Sequence, residues 1–106
     1  MKSGSYHLVG SPGCGSVLVE AALTLAGLPF ELEDIAFEAL GAQHPRLGQL
    51  NPLGQVPVLV LPDGQVMTES AAIVLSLGEV APTAGLVPPP GDARRPAFLR
   101  WLVTLV

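Results

Sequence analysis

Asn51-Pro-Leu-Gly-Gln-Val-Pro57-Val-Leu-Val-Leu-Pro-Asp63-Gly-Gln-Val-Met-Thr-Glu69-Ser70 decides the fold of this chain. Two short apolar runs, Val58 to Leu61 and Val66 to Thr68, flank the turn Pro62-Asp63-Gly64-Gln65. Asp-Gly between β-type runs predicts a hairpin. Pro57 has no N–H to give a sheet ladder, so it belongs at a strand start or a bend. A cis Val56-Pro57 bond there would turn the Val56 backbone outward, free to pair with something extended. Thr68-Glu69-Ser70 closes the second strand and opens a helix, with Ser70 at its cap or first turn. The unpaired N–H groups of such a helix start attract a carboxylate.

Working outward, Tyr6-His7-Leu8-Val9-Gly10 reads as a strand and Ser11-Pro12-Gly13-Cys14-Gly15 breaks it. Ser16 to Ala26 is helical, with Val17, Leu18, Ala21, Ala22 and Leu25 as its apolar stripe. Gly27 caps that helix and Pro29 enforces the stop. Phe30 to Ile35 alternates apolar and polar, which predicts a strand with one buried face. Ala36 to Leu50 holds Gly41, Pro45 and Gly48 and reads as a loop with a short irregular helix. After the hairpin, Glu69 to Gly78 is helical, with Ala72, Ile73, Leu75 and Leu77 available for burial. Ala81 to Gly91 is a Pro/Gly-rich linker, extended rather than packed. Asp92 caps a last helix, Pro96 falls in its first turn, and Phe98, Trp101, Leu102 and Leu105 line one side. That apolar side has nothing left to pack on, so the chain is expected to continue beyond Val106. The order is βαβ, loop-helix, ββα, linker, helix: an α/β fold of thioredoxin-like arrangement, with the first strands parallel across a right-handed crossover.

The chain has 106 residues, 49% of them hydrophobic and 13% charged, enough for one domain with a core. So lean a surface predicts that another domain or subunit covers some apolar face. No run approaches the ~20 apolar residues of a membrane span, and the polar stretch Met1 to Ser5 is too short for a signal peptide. Nine acidic and five basic residues give a net charge of −4, and no basic cluster exceeds Arg94-Arg95, which argues against nucleic acid. The single cysteine excludes an internal disulfide and a multi-cysteine metal site, and fits a reducing cytoplasm. His7 and His44 lack a metal-ligand spacing.

Two positions at the first strand-helix junction carry candidate chemistry. Ser11-Pro12-Gly13-Cys14 has the spacing of a redox Cys-x-x-Cys with the first thiol replaced by a hydroxyl. A hydroxyl at a helix start can donate a hydrogen bond to a thiolate brought by a ligand and lower that thiol's pKa. Plain capping of the helix is the alternative role for Ser11. Cys14, one turn in, reads as a small buried hydrophobe, with a reactive thiol as the alternative. Tyr6 reads as a core or surface residue.

Asn51-Pro52-x-Gly54-x-Val56-Pro57-x-Leu59, the hairpin, and Glu69-Ser70-x-Ala72-Ile73 together resemble the amino-terminal, thioredoxin-like domain of the glutathione S-transferases. The resemblance runs from Tyr6 to about Val80. Ser-x-x-Cys ahead of a small-residue helix is similar to the theta-like and bacterial members that use serine or cysteine. It implies a glutathione-binding domain over residues 1–80, a linker over 81–91, and an incomplete all-helical domain from 92 to 106. It implies glutathione as co-substrate without a metal, attack of its thiol on a small electrophile, and a homodimer. Ser11 would activate the thiol, and Val56, bent by Pro57 and adjoined by Gln55, would pair with the cysteinyl part. Ser70 and the helix start would take the γ-glutamyl carboxylate, and Glu69 its ammonium. Gln43-His44 resembles a pair that reaches the glycine carboxylate, although a solvated loop side chain is the better reading of His44. The basic residues that relatives place near that carboxylate are missing: no lysine follows Lys2, and Arg46 is the one basic residue nearby. The alternatives are a glutathione-dependent thiol reductase or peroxidase using Cys14, and a non-catalytic interaction module.

Overall fold

In the computed structural model, which describes residues 4–106, β1 (Tyr6–Gly10) lies at the centre of everything that follows. Its alternate residues face two different cores. Tyr6 and Leu8 join one cluster; Val9 joins the other. A central strand with apolar groups on both faces needs cover on both sides. Helix α1 (Ser16–Leu25) returns the chain so that β2 (Phe30–Asp34) pairs parallel with β1, Leu8 opposite Leu32. A 3-10 turn at Phe37–Ala39 and the short α2 (Pro45–Leu50) follow, as the irregular reading of this segment expects. β3 (Val58–Val60) and β4 (Val66–Thr68) form the hairpin, and β3 pairs antiparallel with β1, giving the sheet order β2-β1-β3-β4. The turn is held as its sequence suggests: Asp63 Oδ1 accepts the Gln65 amide at 3.0 Å, and Leu61 N–H donates to Gln65 O at 2.8 Å. Helix α3 (Ser70–Val80) then packs beside α1 on one face, and α2 covers the other.

The larger core joins Leu8, Val19, Leu23, Leu59, Ile73 and Leu77, all 0–1% exposed. Each such side chain contributes roughly 1.5–3 kcal/mol by leaving water. The smaller core joins Val9, Ile35, Leu47 and Val58 beneath α2.

Helix α1 turns a different face inward from the one its pattern suggests. Ser16, Val19, Ala22 and Leu23 are buried, while Val17, Leu18 and Leu25 are exposed. The segment is apolar almost all round, so spacing alone does not select the buried stripe; the α3 contact does. In α3 the buried residues are Ile73, Val74 and Leu77; Ala72 faces solvent and Leu75 is half-buried. Strand β2 sits at the sheet edge, and its apolar Leu32 remains 43% exposed. The Pro-rich segment is not simply extended. Leu86 and Val87 lean on the larger core, and Arg95 Nη1 donates to Pro88 O at 2.7 Å. Apolar residues between the prolines give that segment something to bury. Helix α4 (Arg95–Leu105) buries Leu102 and half-buries Phe98, but leaves Trp101 and Leu105 exposed at 50% and 77%.

Candidate functional site

A cavity of about 800 Å³ opens where two helix N-termini meet the bend before β3. The start of α1 supplies Cys14, Gly15 and Leu18; the bend supplies Asn51, Gln55, Val56 and Pro57. The junction of β4 and α3 supplies Glu69 and Ser70, and the end of α4 closes one side with Val103 and Leu105. Gly15 permits this convergence. A Cβ there would stand 3.2 Å from Ser70 Oγ, tighter than an ordinary contact.

The bend is built by Asn51, which is 5% exposed. Its Nδ2 donates to Gln55 O at 3.0 Å, and its Oδ1 accepts from Leu53 N–H at 3.1 Å. Both ends of one amide thus fix the loop that carries Gln55 and Val56. The Val56-Pro57 peptide is cis. Among the described residues, the Val56 N–H and C=O take no part in the hydrogen bonds of the loops and turns. Beneath the loop, Gly54 adopts φ 67°, and a Cβ on it would lie 2.1 Å from Ala42 N. Only glycine fits between those two backbones.

Glu69 is the one non-glycine residue with positive φ among the described residues, at φ 71° and ψ 110°. Backbone strain of this kind costs about 1–3 kcal/mol and concentrates at ligand-binding sites. Its side chain makes no capping hydrogen bond to α3. The first N–H groups of a helix have no intrahelical acceptor, and together they carry about half a positive charge. So the mouth of α3 offers amide donors, the Ser70 hydroxyl and the Glu69 carboxylate side by side. That set suits a ligand end bearing both a carboxylate and an ammonium.

The structure brings together Cys14, Gln55, Val56, Pro57, Glu69 and Ser70. It does not bring Ser11 to them. Ser11 is 1% exposed, lies outside the cavity lining, and its Oγ has no hydrogen-bond partner among the described residues. Its main chain is instead clamped by Ser16, whose Oγ accepts from Ser11 N–H at 3.1 Å and donates to Ser11 O at 3.2 Å. Ser11 also does not cap α1 with its side chain. Cys14 is half-buried rather than sealed in the core, and it lines the cavity. His44 lies outside the lining and is not a solvated loop side chain either: its Nδ1 accepts from Leu47 N–H at 3.2 Å and caps α2. Tyr6 belongs to the core, where burial, with Asp63 adding, raises its phenol pKa. Asn51 and Gly15 are the site residues that the sequence reading left without a role. The Asn-Pro that opens the loop was the available signal for the first.

A second, shallower recess of about 350 Å³ shares Cys14, Gln55 and Val56 with the cavity and runs on to Leu40, Gly41 and Gly54. Arg46 does not reach it. Its guanidinium pairs with Glu33 at 3.3 Å, and His7 Nε2 lies 2.7 Å from the same carboxylate. The His7 hydrogen bond, helped by Arg46, holds the Glu33 pKa below the usual glutamate range against the opposing effect of burial.

A family model described as the glutathione S-transferase N-terminal domain matches residues 17–80. The chain belongs to the glutathione S-transferase family. It is 46% identical over 98 residues to an uncharacterized GST-like protein of Escherichia coli K12, YncG, covering 92% of this chain and 47% of that protein. Glutathione S-transferase GST-4.5 of Xanthomonas campestris is 34% identical over 91 residues, covering 86% of this chain and 43% of the relative. Among solved structures, a glutathione transferase from Methylococcus capsulatus superposes with a TM-score of 0.82 at 38% identity, covering 92% of this chain and 49% of its own. A Sulfitobacter homologue solved with bound glutathione gives 0.80 at 34% identity, covering 92% and 46%. This glutathione S-transferase chain therefore spans about half the length of the relatives it matches. The thioredoxin-like fold expected from the sequence is the fold observed.

Proposed function

We propose that the chain is the glutathione-binding part of a glutathione transferase. One observation carries this reading: two helix N-termini and the bend at Val56 meet at one cavity, whose lining includes Glu69, Ser70 and Cys14. The γ-glutamyl carboxylate sits on the amides of α3 and the Ser70 hydroxyl, and its ammonium sits on Glu69. The cysteinyl part lies along Val56, beside Gln55 and Pro57. Its sulfur then points at the opening of α1, whose field favours a thiolate. A free thiol of pKa ~8.5 is only a few per cent ionised at neutral pH, so each unit of lowering, ~1.4 kcal/mol, matters. The thiol gives its proton to solvent, the thiolate attacks an electrophilic carbon, and the leaving group departs as the C–S bond forms. In this reading residues 1–80 bind glutathione, 81–91 link, and 92–106 begin a helical domain. The working form is a homodimer in a reducing cytoplasm, a setting that a lone thiol suits.

The lining position of Cys14 favours one second reading, a glutathione-dependent thiol reductase. There the Cys14 thiolate attacks oxidised glutathione, forms a mixed disulfide and releases one glutathione thiolate. Ser11, buried away from the cavity, would serve neither reaction directly.

Titration calorimetry with glutathione tests the shared part of both readings. Ser70→Ala and Glu69→Gln should each weaken binding about tenfold or more, the cost of unpairing a charged ligand group. A wild-type chain that gives no heat with glutathione rejects the proposal. Mass spectrometry after treatment with oxidised glutathione separates the two readings: a glutathione adduct on Cys14 supports the reductase, and its absence removes it.

A further inference from the structure

Ser16 opens α1, yet its hydroxyl turns back toward the strand it came from. The residue is 5% exposed and lies outside the cavity lining. Its Oγ engages both backbone groups of one residue, accepting from Ser11 N–H at 3.1 Å and donating to Ser11 O at 3.2 Å. Ser11 O also accepts from Cys14 N–H at 3.1 Å, and Cys14 O accepts from Val17 N–H at 3.1 Å. The Ser16 hydroxyl and the Cys14 amide thus share one carbonyl, and Cys14 is slung between that carbonyl and the first turn of α1. Gly10, the last residue of β1, makes room for this arrangement. A Cβ there would stand 2.5 Å from Ser16 Oγ and 2.6 Å from Ser16 Cβ. Gly10 is not among the glycines with positive φ, so space rather than conformation requires glycine at that position. On the other side of the helix start, Gly15 stands against Ser70 with little clearance. The opening of α1 is therefore seated between the end of β1 and the mouth of α3.

We infer that Ser16 is a positioning residue for the thiol chemistry, an inference that rests on the glutathione reading above. Through the Ser11 backbone it fixes the Cys14 turn and the amides at the opening of α1, where the sulfur of the ligand arrives. The field of a helix terminus fades within one turn. A small retreat of that opening therefore weakens its effect on a thiolate more than it weakens the grip of α3 and Val56 on the rest of the ligand. Gly10 belongs to the same device, because it admits the hydroxyl.

The experiment follows the ultraviolet thiolate band of bound glutathione against pH, taken as the difference from the S-methylglutathione complex so that Cys14 cancels. Ser16→Ala should raise the ionisation midpoint by about half a unit, or about threefold less thiolate at neutral pH. Its affinity for S-methylglutathione, which has no thiol to ionise, should stay within about twofold of the parent's. Thr24→Ala removes another α1 hydroxyl, one that donates to Glu20 O at 2.9 Å far from the opening, and should keep the parent midpoint. Should Ser16→Ala fail to fold, Gly10→Ala disturbs the same contact from the strand side and should give the same rise. An unchanged midpoint in the folded variant overturns the inference and leaves the glutathione reading intact. So does an equal rise in Thr24→Ala, or a loss of S-methylglutathione affinity as large as the loss of thiolate. Failure of the unaltered chain to bind either ligand removes the glutathione reading and this inference with it.

Discussion

Replacing Glu69 by glycine should make the fold more stable and the ligand site worse. Glu69 holds φ 71° and ψ 110°, a conformation a side chain resists and glycine accepts freely. Relief of that strain is worth about 1–3 kcal/mol. Against it stands the extra freedom glycine gives the unfolded chain, about 0.5–1 kcal/mol. No capping bond is lost, because the Glu69 side chain makes none to α3, and the residue is exposed, so no core contact goes with it. The net expectation is a gain of about 0.5–2 kcal/mol, or several degrees in Tm for a domain of this size. Urea unfolding followed by circular dichroism measures it, with the m-value checked for constancy. Glu69→Ala is the control: it removes the same carboxylate but keeps a Cβ, so it should lose glutathione affinity without gaining stability. If Glu69→Gly unfolds at the same or a lower urea concentration than the parent, the backbone at this position is not strained and the argument fails. If it gains stability and also keeps full affinity for glutathione, the strain is real but does not serve the ligand.

Gly54→Ala should cost about 3 kcal/mol or more, since its Cβ would collide with Ala42 N at 2.1 Å and sit at φ 67°; a loss under about 1 kcal/mol would mean the two loops separate easily. Leu59→Ala, at a fully buried position of the larger core, should cost about 2–5 kcal/mol by chemical unfolding. Because the Glu33 pKa is lowered in the fold, its contribution is present in full at neutral pH and fades as pH falls below the usual glutamate range. Glu33→Gln should therefore lower stability at pH 7 and flatten its decline in acid; equal slopes for both proteins would show that the His7–Glu33–Arg46 group contributes nothing. Iodoacetamide should label Cys14, and S-methylglutathione, which has no free thiol, should slow that labelling; an unchanged rate would place the ligand's sulfur end away from α1.

Most of the backbone was legible because each element carries its own local cause. The Asp63-Gly64 turn and the stop at Gly27 and Pro29 are decided within a few residues, and the structure follows them. The choice of buried face in α1 was not legible. Its residues are apolar on nearly every side, and only the approach of α3 settles that Val19 and Leu23 go in while Leu18 and Leu25 stay out. The site divides along the same line. Glu69 and Ser70 are placed by a local event, the start of a helix after a short strand, so the sequence locates them well. Ser11 and Cys14 are separated by a rotation that no spacing encodes. Ser11 directly extends β1, and Ser16 Oγ closes on its N–H and C=O, which fixes the turn with the Ser11 hydroxyl shut inside. The chain then reverses in a turn closed by Cys14 N–H donating to Ser11 O at 3.1 Å, and Cys14 lines the cavity together with Val56. A hydroxyl three residues before a thiol looks like the better-placed group on paper, because a helix start favours anions. The field of that helix acts only on what faces it, however, and the group that faces the cavity is the thiol.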